Sequence, residues 1–245
     1  MINIRNYTKK YGEKVAVSDL NLNIMDGEVY GLIGHNGAGK STTIKAITGV
    51  IEPDQGDIQV AGYDILKDGM EAKMNIGYVS DSPDRFLKLT STAYYNFIGD
   101  IFGIDYDTRV QRIETLMQTL EMEGTGSQLI GEMSHGMRQK VFIIGALLPE
   151  PKVWILDEPM TGLDPSASFN LKQMIRKHAD QGNTVLFSTH VLDTAEKLCD
   201  RIGILSHGKL IYEGTMEDLE KMDAGNSLEE IYLNLIKKQE DVRNG

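Results

Sequence analysis

Along the start of the chain, apolar positions alternate with polar ones. Ile2-Asn3-Ile4 and Leu20-Asn21-Leu22-Asn23-Ile24 put their apolar side chains on one face, the period of a half-buried strand. Tyr11-Gly12 and Asp26-Gly27 punctuate these runs, so an antiparallel sheet is expected. Val29-Tyr30-Gly31-Leu32-Ile33 is apolar throughout and reads as a buried strand. A helix is expected over 41–48 with Gly49 as its stop, then a turn at 53–56 and strands at 57–60 and 76–79. From 83 to 150 the period becomes helical. Tyr94, Tyr95, Ile98, Ile101 and Phe102 mark one segment; Val110, Ile113, Leu116, Met117 and Leu120 mark the next, with Asp107 and Thr108 as expected caps. Another helix is expected over 134–148, capped by Ser134 and stopped by Pro149. Strands at 153–156, 184–188 and 202–205 then alternate with helices at 165–180 and 192–198. A hairpin through His207-Gly208 leads to Leu210-Ile211-Tyr212, and short helices at 216–222 and 227–238 follow. The fold class expected is α/β: a parallel core sheet between helices, an N-terminal antiparallel β subdomain and an inserted α-helical subdomain.

The chain of 245 residues is long enough for a well-buried core. It is expected to form a single domain, 1–245, with 1–82 and 151–215 as the core, 83–150 as the helical insert and 216–245 as a helical tail. The net charge of −11 argues against general binding to nucleic acid or anionic lipid. Cys199 is the only cysteine, so no intrachain disulfide and no Cys-based zinc site is available, which suits a reducing compartment. The opening residues lack the apolar core of a signal peptide, and the longest apolar run inside a helix, 141–148, is far short of a bilayer span. A soluble protein is expected, whose work at a membrane needs a separate partner.

The chemistry concentrates in Gly34-His35-Asn36-Gly37-Ala38-Gly39-Lys40-Ser41-Thr42, which fits the pattern of a phosphate-binding loop between a strand and a helix. Glycines at 34, 37 and 39 allow dihedrals closed to residues with a Cβ, so that successive N–H groups converge on phosphate oxygens. The helix N-terminus adds its dipole. Lys40 supplies a point charge for the β- and γ-phosphates, and Ser41 a hydroxyl for Mg²⁺. A second signal is Asp157-Glu158, directly after a buried strand, where ligands collect in open α/β sheets. Asp157 is the candidate for Mg²⁺, directly or through water, and Glu158 the candidate base for an attacking water. Read alone, the pair is equally a set of solvated acids at a loop start. Tyr11, in a polar segment, is either a strand-end aromatic or a platform for adenine.

In this order the motifs resemble those of ATP-binding cassette (ABC) transporter ATP-binding subunits over nearly the whole chain. The family's signature segment corresponds to Met133-Ser134-His135-Gly136-Met137, its acidic strand end to Asp157-Glu158-Pro159, the loop after that strand to Gly162-Leu163-Asp164-Pro165 and its switch histidine to His190. The resemblance implies ATP and Mg²⁺ as cofactors, Tyr11 as the stacking aromatic and His190 as a γ-phosphate sensor. It implies that the chain pairs head to tail with a second copy, or a homologous subunit, so that Ser134 and Gly136 complete the partner's site. It also implies a separate transmembrane permease, a peripheral place on the inner face of the cell membrane, and an exporter-like role. Asp81 stands where the family usually has glutamine, and is the third candidate for Mg²⁺ beside Ser41 and Asp157. His135 and Met137 replace the signature's usual glycine and glutamine. A non-transport ABC protein of the DNA-repair or translation type typically has coiled-coil insertions or tandem cassettes. The chain has no long heptads and an acidic balance. A regulatory module that binds ATP without hydrolysing it has no use for the candidate base Glu158.

Overall fold

The alternating runs pair as expected. β1 (Ile2–Tyr11) and β2 (Lys14–Ile24) form an antiparallel hairpin that turns at Gly12, whose φ is 58°. The chain then enters β3 (Val29–Ile33), every residue of which is buried, and passes through the glycine loop into α1 (Lys40–Ile47). It returns to the first sheet as β4 (Gln55–Val60) and the two-residue β5 (Tyr63–Asp64). A short helix, α2 (Gly69–Lys73), leads to β6 (Ile76–Val79). Next come α3 (Ser91–Ile101), α4 (Tyr106–Thr119), a 3-10 turn at Ile130–Glu132 and α5 (His135–Leu147). The alternation resumes with β7 (Val153–Asp157), α6 (Pro165–Asp180), β8 (Thr184–Thr189), α7 (Leu192–Leu198), β9 (Arg201–Ser206) and β10 (Lys209–Gly214). Helices α8 (Met216–Lys221) and α9 (Leu228–Asn244) follow. This computed structural model describes residues 1–82, 84–222 and 227–244.

Among the described residues the strands form two sheets. One is antiparallel, in the order β2-β1-β4-β5; the other runs β10-β9-β3-β8-β7-β6 and is parallel except for β10. The central strands of the second sheet read as near-continuous apolar runs because both faces are covered. One face shares a core with the first sheet and α1, through Ile2, Tyr7, Leu20, Leu32, Ile44 and Ile155. The other face packs on α3, α5 and α6 through Tyr95, Ile144, Trp154, Leu171, Ile175 and Phe187. Each such side chain contributes roughly 1.5–3 kcal/mol by leaving water. A third cluster joins Ile33 and Ile202 to α7, α8 and α9.

Two details of the helical insert differ from the sequence expectation. Asp105, not Asp107 or Thr108, caps α4: its carboxylate accepts from the Thr108 N–H at 3.0 Å. The helix begins at Tyr106, before the first apolar position that the periodicity registers. Ile101 is 52% exposed, because α3 ends at that residue and its last turn carries the side chain past the core. The other caps lie where the side chains demand them. Ser134 Oγ accepts from the Met137 N–H at 3.3 Å and the Asp164 carboxylate from the Ala167 N–H at 2.9 Å. Among the described residues no helix is long and apolar enough to cross a membrane.

Candidate functional site

Strand order assembles the site. Adjacent strands β3, β8, β7 and β6 release, at their C-terminal ends, the glycine loop, His190, Asp157-Glu158 and Ser80-Asp81 respectively. This is the crevice where an open α/β sheet takes its ligands. A cavity of about 860 Å³ opens there. His35, Asn36, Gly37, Gly39, Lys40, Ser41 and Thr42 line it, with Tyr11, Asp81 and Glu158.

The glycines are required by geometry. Gly37 and Gly39 have φ of 84° and 114°. A Cβ on Gly34 would come within 2.5 Å of the Leu205 carbonyl oxygen. Gly39 opens α1, so Lys40 is the first helical residue and its side chain folds back over the loop. Its Nζ donates to the Gly34 carbonyl at 2.6 Å and lies 3.5 Å from Glu158 Oε1. Gly34 and Ala38 are buried behind the loop and do not line the cavity. Tyr11 is 49% exposed at the cavity's edge, with Lys9 Nζ 5.8 Å from its ring centroid. Lys9 thus stands over one face of a ring that is half exposed beside the cavity.

The acidic side is organised by a residue that the sequence reading passed over. Ser188 Oγ donates to Asp157 Oδ1 at 2.5 Å and accepts from the Glu158 N–H at 3.0 Å. Asp157 and Ser188 are register partners across β7 and β8. The available signal was a serine hydroxyl directly after the apolar run Val185-Leu186-Phe187. Burial pushes the Asp157 carboxyl above the usual carboxylate range; hydrogen bonds from Ser188 and Ser41 pull it back, and Asp81 and Glu158 add to the rise. Asp157 is buried and does not itself line the cavity, whereas its neighbours Ser41, Asp81 and Glu158 do. Glu158 holds φ at +49°, a backbone state that costs of order 1–3 kcal/mol for a residue with a side chain. Its Oε2 lies 3.0 Å from His190 Nδ1, so His190 joins the group through Glu158 and does not cap α7.

Ser41, Asp157 and Asp81 offer only oxygen donors, the set that Mg²⁺ prefers. Among the described residues no cluster of His, Cys, Asp or Glu is large enough to hold a metal by itself. Such a sparse set fits an ion that keeps water and arrives with phosphate. A cation there would also favour the charged form of Asp157 against its burial.

Ser134 and Gly136 are not brought to this cavity. They open α5, where Gly136 packs on the loop after β7: a Cβ on Gly136 would stand 2.6 Å from the Gly162 carbonyl oxygen. A Cβ on Gly162 would in turn meet the His135 ring at 2.3 Å. Lys140 Nζ lies 3.8 Å from Asp164. Further lining groups had no motif to announce them: His207 and Lys209 from the β9–β10 hairpin, and Gln239 from α9.

Comparison with known proteins agrees with this geometry. The family model described as ABC transporter matches residues 17–161. The Nod factor export ATP-binding protein I of Burkholderia lata is 33% identical over 231 residues, 94% of this chain and 76% of the relative. The ABC transporter ATP-binding protein NatA of Bacillus subtilis is 33% identical over 238 residues, 95% of this chain and 97% of the relative. A solved structure of the ATP binding subunit of an ABC transporter superposes with a TM-score of 0.91 at 33% identity, covering 96% of this chain and 99% of that one. The dimeric structure of MJ0796, a bacterial ABC transporter cassette, gives a TM-score of 0.80 at 26% identity, covering 88% and 99%.

Proposed function

The chain belongs to the ABC transporter family, as one of its ATP-binding subunits, and on that premise we propose that it hydrolyses ATP to power export through a separate permease. The observation that carries the reading is one cavity in which a phosphate loop, a lysine and a carboxylate paired with a histidine face the same space.

The residues divide the work as follows. Amides of the glycine loop and the α1 N-terminus bind the phosphates, and Lys40 leaves Glu158 to meet the γ-phosphate. Tyr11 stacks on the base. Ser41, Asp157 and Asp81 would hold Mg²⁺, which neutralises charge on the β- and γ-oxygens when bound. Ser188 fixes both acids: it holds Asp157 and orients the backbone of Glu158. Glu158 takes a proton from water as the water oxygen bonds to the γ-phosphorus and the bond to the ADP oxygen breaks. His190 orients Glu158 and reports on the γ-phosphate.

Ser134 and Gly136 lie away from the chain's own cavity, which supports a role across an interface. The dimeric cassette among the similar structures supports the pairing of two copies. ATP held between two copies would bind a loop from one and a signature helix from the other, and loss of the γ-phosphate would loosen the pair. The proposed permease contact lies near residues 81–100, which the exposure of Phe86 and Phe97 supports. Through that contact the subunit sits on the inner face of the membrane. Hydrolysis by the purified chain, lost in Glu158→Gln, tests the assignment; hydrolysis at the wild-type rate in that variant overturns it.

A further inference from the structure

Helix α9 (Leu228–Asn244) has no part in the motifs, yet it lies on the phosphate loop. Leu228, Ile231, Tyr232, Leu235 and Gln239 recur at helical spacing and share one face. Ile231 is buried in the same cluster as Ile33, the residue just before Gly34, and Leu228, Tyr232 and Leu235 pack at that cluster's edge. Burial raises the pKa of the Tyr232 phenol, and the nearby backbone of His35, at the front of the loop, opposes that rise. Seven residues on, Gln239 lines the cavity together with Lys40, Ser41 and Glu158. The His35 ring lies against that of His207 in the β9–β10 hairpin, with centroids 5.2 Å apart and planes tilted by 59°. The front of the loop is thus held from two sides.

We propose that α9 is a working part of the nucleotide site, with Tyr232 a positioning residue that holds the front of the phosphate loop and Gln239 a nucleotide contact. The assignment rests on the reading of residues 34–42 as the ATP loop. The physical reason lies in the loop's composition. A glycine-rich segment loses much conformational freedom when it orders around an anion. A phenol held beside the His35 backbone would restrict the front of the loop and remove part of that cost. Gln239 adds a neutral amide that both donates and accepts, suited to a ribose hydroxyl, a base edge or a phosphate oxygen. By linkage, nucleotide and the docked position of α9 stabilise each other.

The test uses the full-length chain and a ribose-labelled fluorescent ATP with Mg²⁺. Tyr232→Phe keeps the ring and deletes the hydroxyl; Gln239→Ala deletes the amide. Each is expected to weaken nucleotide binding about 3–10-fold, the effect of one hydrogen bond, with the urea midpoint of the nucleotide-free chain unchanged. The same fold-change is expected in the KM for ATP. Binding within about twofold of wild type in either variant removes that residue from the assignment, and in both overturns it. A loss of affinity that comes with a lowered urea midpoint also overturns it, since the helix would then act only as packing. Lys40→Ala separates the two levels of the reading. If it binds like wild type, the loop assignment itself fails; if it alone loses binding, only the role of α9 does.

Discussion

Oε2 of Glu158 lies 3.0 Å from Nδ1 of His190, while its other oxygen stands 3.5 Å from Lys40 Nζ. One carboxylate thus spans the cation of the phosphate loop and the histidine after β8. In the proposed function the lysine serves the phosphates and Glu158 the attacking water. Glu158→Gln should therefore retain ATP binding and lower turnover by about 10²–10⁴-fold, the range for losing a general base. Single-turnover hydrolysis checks this, and a rate within tenfold of wild type sinks the assignment. With MgATP the same variant should elute from gel filtration as a dimer; a monomer at all concentrations would remove the shared-site reading.

Lys40 is buried and anchored on the Gly34 carbonyl at 2.6 Å. Lys40→Ala should abolish measurable ATP binding by calorimetry, because the cavity loses the ammonium that folds over its phosphate loop. It should also loosen Glu158, so the variant is expected to differ from wild type even without nucleotide in the NMR shifts of residues 158 and 190.

Ser188 makes hydrogen bonds to both acids from a site with no access to solvent. Ser188→Ala removes a donor from a buried carboxylate, a change that typically costs 1–3 kcal/mol. Hydrolysis should fall about 10-fold or more while labelled-ATP affinity changes less. Equal losses in both would mean that Ser188 serves the fold alone.

His178 gives the stability a pH dependence. It is buried in α6, its ring edge-on to Trp154 with centroids 5.6 Å apart, and Nε2 has no hydrogen-bond partner. Burial lowers its pKa from the ordinary 6.5, against a smaller opposing effect from the Pro151 backbone. The unfolded chain therefore takes up this proton at a higher pH than the folded one. The stabilisation is complete above the unfolded value and is lost as pH falls through and below it. Urea midpoints should drop between pH 7 and pH 5.5, and His178→Phe should flatten part of that slope. An unchanged slope would assign the acid sensitivity elsewhere.

Much of this architecture was legible because two signals agree at each element. The bounds of α6 and α7 follow from Pro165 with its capping Asp164 and from the apolar spacing of Leu192, Ala195 and Leu198. The glycine loop was legible because its glycines are forced by φ and by contact. Ser188 was not, since a hydroxyl in an apolar strand reads as a tolerated exception until register sets it beside Asp157. β5 and α2 are too short, at two and five residues, for periodicity to register. The docking of α9 on the loop joins residues far apart in the chain, and amphipathic spacing tells that a helix has a buried face without telling what covers it.

At the knuckle where Gly136 rests on Gly162 there is no slack, not even for a methyl group. Any side chain at Gly136 would therefore have to push the loop after β7 away from the opening turn of α5. If Ser134 and Gly136 meet a second copy as proposed, a shift of that loop would reach them by direct contact.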